Sequence, residues 1–280
     1  MGSKIAVITG ASSGIGLLTA LELARSGYSV VATMRNPMGR TALDEAAAKA
    51  GVQDRIDVRR LDITESASVA PAIEEIVQHY GRIDVLVNNA GFAMAGFADD
   101  VALEELRTQF DTNFFGHVAV TLAVLPHMRR QQSGHIIMVS SIAGRAAHPG
   151  IGSYSASKFA LEGWSEALRL EMTPLGIRVV LVEPGSYETN IWEKNVHIAS
   201  AAFSDGSPNK ERSRRFAEHV KTQVVKRDAR EVARLIARVA AMPYPRLRYL
   251  VGKDARLYHW VRLLMPWKRY EKMVAKTVGI

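Results

Sequence analysis

The stretch Lys4-Ile5-Ala6-Val7-Ile8-Thr9-Gly10-Ala11-Ser12-Ser13-Gly14-Ile15-Gly16 joins an apolar run to a glycine-rich loop and the start of a helical pattern. Glycines let the backbone approach a pyrophosphate, and a helix N-terminus offers free N–H groups and a positive dipole end. The stretch therefore predicts a dinucleotide site formed by Gly10, Ser12, Ser13, Gly14, Ile15 and Gly16. The spacing is G-x-x-x-G-x-G rather than the commoner G-x-G-x-x-G, and a simple tight turn is the alternative.

Outward from this loop, apolar strand-like runs alternate with helix-length segments. The alternation predicts an α/β fold, a Rossmann-type doubly wound parallel sheet of about seven strands with helices on both faces and ligands at the carboxyl ends of the strands. The predicted strands are Lys4–Thr9, Ser29–Thr33, Ile56–Leu61, Ile83–Val87, His135–Ser140, Ile177–Val182 and, as a candidate seventh, Arg248–Val251. The predicted helices include Gly14–Ser26, Glu65–Tyr80, Leu103–Met128 and Ser153–Met172.

The composition favours one globular domain in a reducing compartment. The chain has 280 residues, 48% hydrophobic content and no cysteine, so neither disulfides nor thiolate chemistry are expected. The first predicted strand leaves no room for a signal peptide, and no apolar run reaches the roughly 18 residues of a membrane span. We expect a cytoplasmic protein with a single catalytic domain over residues 1–280, and no His/Cys cluster suggests a metal.

The charge is unevenly distributed. Residues 1–205 hold 17 Lys and Arg against 22 Asp and Glu, a net of −5, whereas residues 206–280 hold 19 against 6, a net of +13. A basic tail can indicate nucleic acid or an anionic membrane surface, but no known nucleic-acid motif accompanies it. Residues 243–280 form a basic and apolar extension with three candidate uses: a helix packed over the substrate pocket, a subunit contact, or weak peripheral membrane contact.

Tyr154 and Lys158 are one helical turn apart in the motif Tyr154-Ser155-Ala156-Ser157-Lys158, so both side chains lie on one face of a helix. A tyrosine with its usual pKa of about 10 is a poor acid–base group at neutral pH. A fixed positive charge beside it favours the phenolate, so we expect Lys158 to lower the pKa of Tyr154. The pair is a candidate proton donor and acceptor, although surface pairs with this spacing are common.

Polar motifs also follow other predicted strands. Asn88-Asn89-Ala90-Gly91 ends strand four and either lines a cofactor cleft or forms an Asn-rich turn. Ser140-Ser141 ends strand five, and Pro184-Gly185 follows strand six, with Thr189 four residues beyond Gly185. The last segment is either an ordinary loop or a contact for a carboxamide and a phosphate.

Together these motifs closely resemble the short, single-domain branch of the short-chain dehydrogenase/reductase family, over roughly residues 4–190. The resemblance implies that Tyr154 is the general acid and base, and that Lys158 binds the nicotinamide ribose and lowers the pKa of Tyr154. Ser141 would hold the substrate oxygen, and Asn113 would anchor a water molecule linking Lys158 to solvent. Asn89, Ala90, Gly91, Pro184, Gly185 and Thr189 would contact the cofactor. The alternative for Asn113 is a hydrogen bond inside the helix.

Arg35 bears on which dinucleotide is bound. An NAD enzyme of this architecture usually has an acidic residue after strand two, but no acid occurs between Glu22 and Asp44. Arg35 stands there instead, with Arg40 nearby, and a guanidinium binds phosphate in bidentate fashion. This favours NADP(H), although a solvated loop arginine is the alternative. Asp62 and Ile63 are expected beside the adenine, and Asp62 is equally a candidate cap of the following turn.

The substrate is expected to be lipophilic. The sequence around Arg35 and the segment Tyr154–Trp164 resemble hydroxysteroid and retinol dehydrogenases, which implies a ketone or secondary alcohol. Ala143, His148 and Pro149 are expected to face the pocket, and residues 186–225 to form a lid. The lid has apolar character: Tyr187, Ile191, Trp192, Val196 and Phe203. His148 either binds a distal oxygen or faces solvent.

The sequence thus predicts an NADP(H)-dependent carbonyl reductase or alcohol dehydrogenase. Its family resemblance implies a homodimer or homotetramer through the helix that carries Tyr154. A dinucleotide-binding sensor without catalysis is the alternative function, and turnover of any carbonyl or alcohol would exclude it.

Overall fold

A parallel sheet of seven strands lies at the centre of the protein, for which the computed structural model describes residues 3–188, 196–223 and 227–278. With strands numbered along the chain, the sheet contains β1 (Ile5–Ile8), β2 (Ser29–Met34), β3 (Ile56–Arg60), β4 (Val85–Asn88), β6 (Gly134–Val139), β7 (Ile177–Pro184) and β11 (Arg248–Val251). Their order is β11-β7-β6-β4-β1-β2-β3. The chain therefore starts at the centre, extends to one edge, and returns to build the other half. Crevices at such a reversal, between β1 and β4, are where open α/β sheets bind ligands.

Shorter strands form two further pairs. β5 (Ala93–Ala95) pairs with β9 (Val196–Ile198), and β8 (Tyr187–Glu188) pairs with β10 (Arg227–Asp228). The helices are α1 (Gly14–Arg25), α2 (Thr41–Ala50), α3 (Ser66–Tyr80), α4 (Leu103–Phe110), α5 (Gly116–Gln131), α6 (Gly152–Met172), α7 (Lys210–Gln223), α8 (Arg230–Ala240), α9 (Lys253–Leu264) and α10 (Trp267–Val278). Among the described helices, none is long and apolar enough to cross a bilayer.

Two apolar cores lie on opposite faces of the sheet because successive strand residues point to opposite sides. In β1, Ala6 and Ile8 face one core with α1, α2 and α8, whereas Ile5 and Val7 face the other with α3, α5 and α6. Helix α8 covers α1, and the Tyr28 hydroxyl after α1 donates to the carbonyl of Ala240, 3.1 Å away. The predicted doubly wound sheet and all seven of its strands are confirmed.

The predicted uninterrupted helix Leu103–Met128 is wrong in its continuity. The chain forms α4, then one π-helical turn at Asp111–Phe115, then α5, which extends to Gln131. π-helical turns concentrate at functional sites because they displace side chains from the regular helical face. Here the turn contains Asn113, whose contacts are described below. The other three predicted helices agree with the structure to within one residue at each end.

The C-terminal helices contact segments at the carboxyl end of the sheet. The carboxylate of Asp254, at the start of α9, accepts a hydrogen bond from the backbone N–H of Ser186 at 2.6 Å. The ring of Tyr258 lies 4.7 Å from the ring of His148. Tyr270 and Val274 of α10 are buried in a cluster that also includes Phe216 of α7.

Candidate active site

The loops after β1 and β4 are joined by side-chain hydrogen bonds that we call the β1–β4 clamp. The Thr9 hydroxyl accepts from the backbone N–H groups of Asn89 and Ala90, at 3.0 and 3.1 Å. The Asn89 carboxamide in turn donates to the carbonyls of Thr9 and Gly10, both at 3.0 Å. Nε2 of the buried His117 lies 2.6 Å from the Ala90 carbonyl, and burial lowers the pKa of His117 to about 3, so its neutral ring donates this bond.

Two glycines make this close approach possible. Gly10 has φ +68°, and a Cβ there would lie 2.7 Å from the Cα of Ala90. A Cβ on Gly16 would lie 2.3 Å from the carbonyl oxygen of Gly10 and 2.5 Å from the amide nitrogen of Asn89. Any side chain at either position would separate the two loops. Gly16 therefore acts by letting α1 pack closely against Gly10 and Asn89. It is not among the residues that line the cleft.

The N-terminus of α1 opens into the cleft with a positive electrostatic character. The helix has no acidic residue in its first turn, and the side chain of Ser13 does not cap it. Its free N–H groups and dipole therefore favour an anion there. Arg35 lines the same cleft and is exposed. No carboxylate of the described residues pairs with Arg35, whereas Arg40 is bound to Asp44 at 2.7 Å.

Asp62 and Ile63 line the cleft next to the ends of β2 and β3. The Asp62 carboxylate accepts from the backbone N–H and the hydroxyl of Thr64, at 3.0 and 2.7 Å. Asp62 therefore caps the following turn, which is one of the two roles considered for it in the sequence analysis. Because Asp62 and Ile63 line the cleft, the second carboxylate oxygen of Asp62 and the backbone of Ile63 are candidate ligand contacts.

Tyr154 and Ser141 meet at the inner end of the cleft. Ser141 follows β6, its hydroxyl accepts from the Ala143 N–H at 3.1 Å, and a side-chain hydrogen bond joins it to Tyr154. Burial raises the pKa of Tyr154 to about 12, while the bond to Ser141 acts in the opposite direction. The direction is opposite to the predicted lowering by Lys158. Removing the phenol from water therefore dominates the shift, and the opposing effect comes from the Ser141 hydrogen bond.

Lys158 is buried one turn beyond Tyr154 on α6. Its ammonium donates to the carbonyl of Val139 at 2.9 Å and lies 5.9 Å from the centre of the Tyr154 ring. Burial lowers the pKa of Lys158 to about 8, and the carboxylate of Glu162 opposes that shift. Lys158 thus remains largely charged at neutral pH and points toward the end of β6.

A buried ionic cluster lies behind Lys158. The guanidinium of Arg248 on β11 contacts Glu162 of α6 at 3.0 Å and Glu183 of β7 at 3.4 Å, and it also pairs with the exposed Glu166. Burial, followed by the charge of Glu162, raises the pKa of Glu183 to about 8, against Arg145 and Arg248. Burial therefore favours the protonated form of Glu183 at neutral pH. The sequence analysis missed this cluster.

Asn113 connects the π-helical turn to the segment after β4. Its carboxamide accepts from the Phe92 N–H at 3.1 Å and donates to the Phe92 carbonyl at 3.0 Å and to the Ser157 hydroxyl at 3.3 Å. Gln109, one turn earlier, accepts from the Met94 N–H and donates to the Phe92 carbonyl. With the carboxamide engaged, the predicted water link to Lys158 would have to use the backbone carbonyl of Asn113.

These groups surround one cleft of about 470 Å³ at the carboxyl edge of the sheet. The predicted residues that line it are Gly10, Ser12, Ser13, Gly14, Ile15, Arg35, Asp62, Ile63, Asn89, Ala90, Gly91, Asn113, Ser141, Tyr154, Lys158, Pro184, Gly185 and Tyr187. The sequence analysis missed Thr108, Asp111 and Thr112, although their spacing already places them on one face of a helix.

Other predicted site residues are placed differently. Ala143 and His148 do not line this cleft: Ala143 packs beside Tyr154, and half-buried His148 contacts Tyr258. The hydroxyl of Tyr187 donates to Glu231 at 2.8 Å, so only its ring is offered to the cleft. Thr189 and Trp192 lie outside the described residues.

The fold agrees with the comparisons to known proteins. The profile of the family described as short chain dehydrogenase matches residues 4–198. The chain belongs to this family, whose members are oxidoreductases that bind nicotinamide cofactors.

Relatives with similar sequences extend over almost the whole chain. Uncharacterized oxidoreductase YusZ of Bacillus subtilis is 42% identical over 280 residues, 99% of each chain. The 3-ketodihydrosphingosine reductase of Bacteroides thetaiotaomicron is 38% identical over 253 residues, which cover 90% of this chain and 89% of the relative.

Solved structures show the same fold. A short-chain dehydrogenase from Streptomyces avermitilis superposes with a TM-score of 0.81 at 30% identity, covering 100% of this chain and 98% of the other. A metagenomic short-chain oxidoreductase in complex with NADP has a TM-score of 0.70 at 26% identity, covering 89% and 96%.

The β1–β4 clamp predicts a strong effect of Thr9→Val. Valine preserves the shape but removes the acceptor of two N–H groups, which costs about 1–3 kcal/mol when such groups are left without a partner. We expect a loss of that size in urea denaturation, together with weaker dinucleotide binding. Thr19→Val is the matched control, since the buried Thr19 hydroxyl has no hydrogen-bond partner among the described residues. Equal losses in both variants would contradict the clamp.

Proposed function

We propose that the protein is an NADP(H)-dependent oxidoreductase that transfers a hydride between nicotinamide and a lipophilic ketone or secondary alcohol. The observation that carries this proposal is the buried Tyr154–Ser141 hydrogen bond beside Lys158, in the same cleft as the glycine loop and the free N-terminus of α1. A proton donor and an anion site in one cleft suit an enzyme that binds a phosphate-bearing cofactor next to a substrate that gains or loses a proton.

Tyr154 acts as the proton donor in reduction. Its pKa of about 12 keeps the phenol protonated at neutral pH, so it gives its proton to the carbonyl oxygen of the substrate. Ser141 holds the same oxygen through its hydroxyl, and the nicotinamide, when bound, supplies or accepts the hydride. In oxidation, Tyr154 receives the proton of the alcohol, and the charge of Lys158 favours the phenolate that this step requires.

Arg35 supports NADP(H) over NAD(H). It lies at the end of β2, exposed and without a carboxylate partner among the described residues, whereas Arg40 is held by Asp44. A 2′-phosphate carries nearly two charges and matches the guanidinium fork. The metagenomic relative was solved with NADP, which is in line with this choice.

The lipophilic substrate is supported by a second cavity of about 130 Å³, one wall of which is Phe216. Its walls come from the segment after β5, from β9 and from α7: Ala95, Gly96, Phe97, Gly150, Val196, Ile198, Ala202, Phe203, Ser213, Phe216, Ala217 and Val220. Phe216 also packs against the cluster that contains Tyr154 and Ile151. The cavity therefore suits the aliphatic tail of a substrate whose carbonyl lies at Tyr154. The relative named 3-ketodihydrosphingosine reductase is in line with a lipophilic keto substrate.

A homo-oligomer is the proposed assembly. Phe115, Leu122 and Phe159 are 56%, 57% and 45% exposed on the outer sides of the π-helical turn, α5 and α6. Apolar side chains exposed on these connected helices suit contact with a second copy of the chain.

Tyr154→Phe tests the proton donor. It keeps the ring and removes the proton, so we expect turnover to fall about 10²–10⁴-fold, the usual scale of general acid–base catalysis, with NADPH binding retained. The assay follows nicotinamide absorbance with a panel of ketones.

Ser141→Ala should also lower turnover, whereas Ser140→Ala should not, because the buried Ser140 hydroxyl has no partner among the described residues. Near-normal turnover of Tyr154→Phe would reject the assignment.

Arg35→Ala tests cofactor choice. Losing a charge-assisted contact costs about 1.5–3 kcal/mol, or roughly one to two powers of ten in affinity. We expect NADPH binding to weaken by that factor, with NADH binding nearly unchanged, in dissociation constants measured by fluorescence titration. Arg40→Ala is the control and should affect neither cofactor. Preference of the unmodified protein for NADH, or equal weakening of both cofactors, would show that Arg35 does not bind the 2′-phosphate.

Ala217→Phe tests the tail cavity by filling it. We expect kcat/KM to fall at least about tenfold for a long-chain ketone, the scale of a lost apolar contact of one or more methylenes. A short ketone that ends before Phe216 should react unchanged and serves as the internal control. A uniform loss for both ketones, or none for either, would place the substrate tail elsewhere.

A further inference from the structure

The outer face of α9 and the start of α10 is an exposed apolar surface. Leu257, Trp260, Leu263, Leu264 and Trp267, which we call the outer face, are 65%, 55%, 62%, 73% and 55% exposed. Their spacing of three, four and seven residues places most of them along one side of α9, and the short link after Leu264 adds Trp267. Contiguous exposed apolar side chains of this size mark interaction surfaces in soluble proteins.

The outer face is not needed to attach these helices. Ala255 of α9 is buried, and so are Tyr270 and Val274 of α10, against which Phe216, Val261 and Met265 pack. α9 and α10 therefore have two apolar sides. The buried side stabilises the fold, and the outer face is exposed and can bind a partner.

Basic residues outnumber acidic ones along the two helices that carry the outer face. Residues 253–278 contain seven Lys and Arg, at 253, 256, 262, 268, 269, 272 and 276, against the acids Asp254 and Glu271. Both acids are engaged, Asp254 with the Ser186 N–H and Glu271 with the indole N–H of Trp267 at 2.7 Å. The guanidinium of Arg262 stacks over the Trp267 ring at 4.7 Å from its centre. Tryptophan and leucine bordered by Lys and Arg are the composition of helices that lie in a membrane interface.

The charge argues against a second copy of the chain on this face. In a two-fold dimer the same surface meets itself, so the cations of one subunit would face those of the other. An anionic bilayer instead supplies both the apolar acyl boundary and the opposite charge.

We propose that the outer face of α9–α10 binds the surface of an anionic lipid bilayer, with its leucines and tryptophans in the interface and its Lys and Arg at the headgroups. This is peripheral binding, since no helix of the described residues spans a membrane.

The same helices border the substrate side of the protein. Asp254 is tied to the segment after β7, Tyr258 contacts His148, and α10 packs on Phe216, which also walls the tail cavity. If the proposed function holds, a lipophilic carbonyl dissolved in the bilayer would enter from this side. The bilayer contact itself does not depend on that function, and it can be measured without substrate.

Vesicle co-sedimentation tests the proposal with the full-length protein. Vesicles of phosphatidylcholine with phosphatidylglycerol should bind it, vesicles of phosphatidylcholine alone should bind it much more weakly, and added salt should reduce the binding. Leu263→Glu should weaken binding to the anionic vesicles at least about tenfold, because it places a carboxylate in the interface. Leu103→Glu, at a leucine with a similar exposure of 59% at the start of α4, should bind like the unmodified protein.

The outcomes separate the proposal from its alternatives. Turnover of a short ketone by Leu263→Glu, compared with the unmodified protein, shows that the variant is folded, and its loss of vesicle binding then supports the bilayer contact. Absence of vesicle binding by the unmodified protein, or equal binding by Leu263→Glu, overturns the proposal. A dimer that Leu263→Glu dissociates, without any vesicle binding, also overturns it and assigns the face to a second copy. Failure of catalysis with vesicle binding intact would reject the proposed function alone.

Discussion

The hydrogen bonds of the β1–β4 clamp hold the two halves of the sheet together at the point where a ligand enters. Thr9 and Asn89 are 80 residues apart, yet their side chains satisfy four backbone groups between them. This close approach fixes the glycine loop, and the loop fixes the direction in which α1 starts. Asn113 and Gln109 add further hydrogen bonds to the segment after β4, so that side chains hold this wall of the cleft to two neighbouring elements.

Burial determines the chemistry of the groups inside these walls. Tyr154, Lys158 and His117 are all withdrawn from water, and each pKa is displaced toward the neutral form. The result is a cleft in which the phenol keeps its proton, the imidazole is neutral, and the Lys158 ammonium places a positive charge beside the phenol, with Glu162 favouring that charged form. At neutral pH the Tyr154 phenol in such a site can donate a proton directly, whereas it must first be deprotonated before it can accept one.

Much of the fold followed from local patterns, and less of the site did. Strands β1, β4 and β6 are short continuous apolar runs with helical segments between them, so the parallel sheet could be predicted from burial alone. The glycine loop and the Tyr154–Lys158 pair have fixed spacing and were equally accessible. The π-helical turn was not, because a continuous helical pattern between residues 103 and 128 does not show where one extra residue is accommodated. The raised pKa of Tyr154 could not be predicted from the sequence either, since the direction of the shift depends on how deeply the ring is buried. The Arg248–Glu162 contact joins residues 86 apart, and no local pattern indicates it.

The packing of α8 against α1 has a consequence for how the chain is made. By the time a ribosome has synthesised β7, the growing polypeptide already contains the glycine loop, Tyr154, Lys158 and six strands of the central sheet. The part of α1 that packs against α8 still lacks its cover, because α8 begins at Arg230 and the Tyr28–Ala240 hydrogen bond spans 212 residues. A nascent chain at that stage exposes apolar surface of the kind that chaperones bind and that aggregates. The fold around the cleft is therefore completed late in synthesis, although all of the described residues that line the cleft precede α7 in the chain.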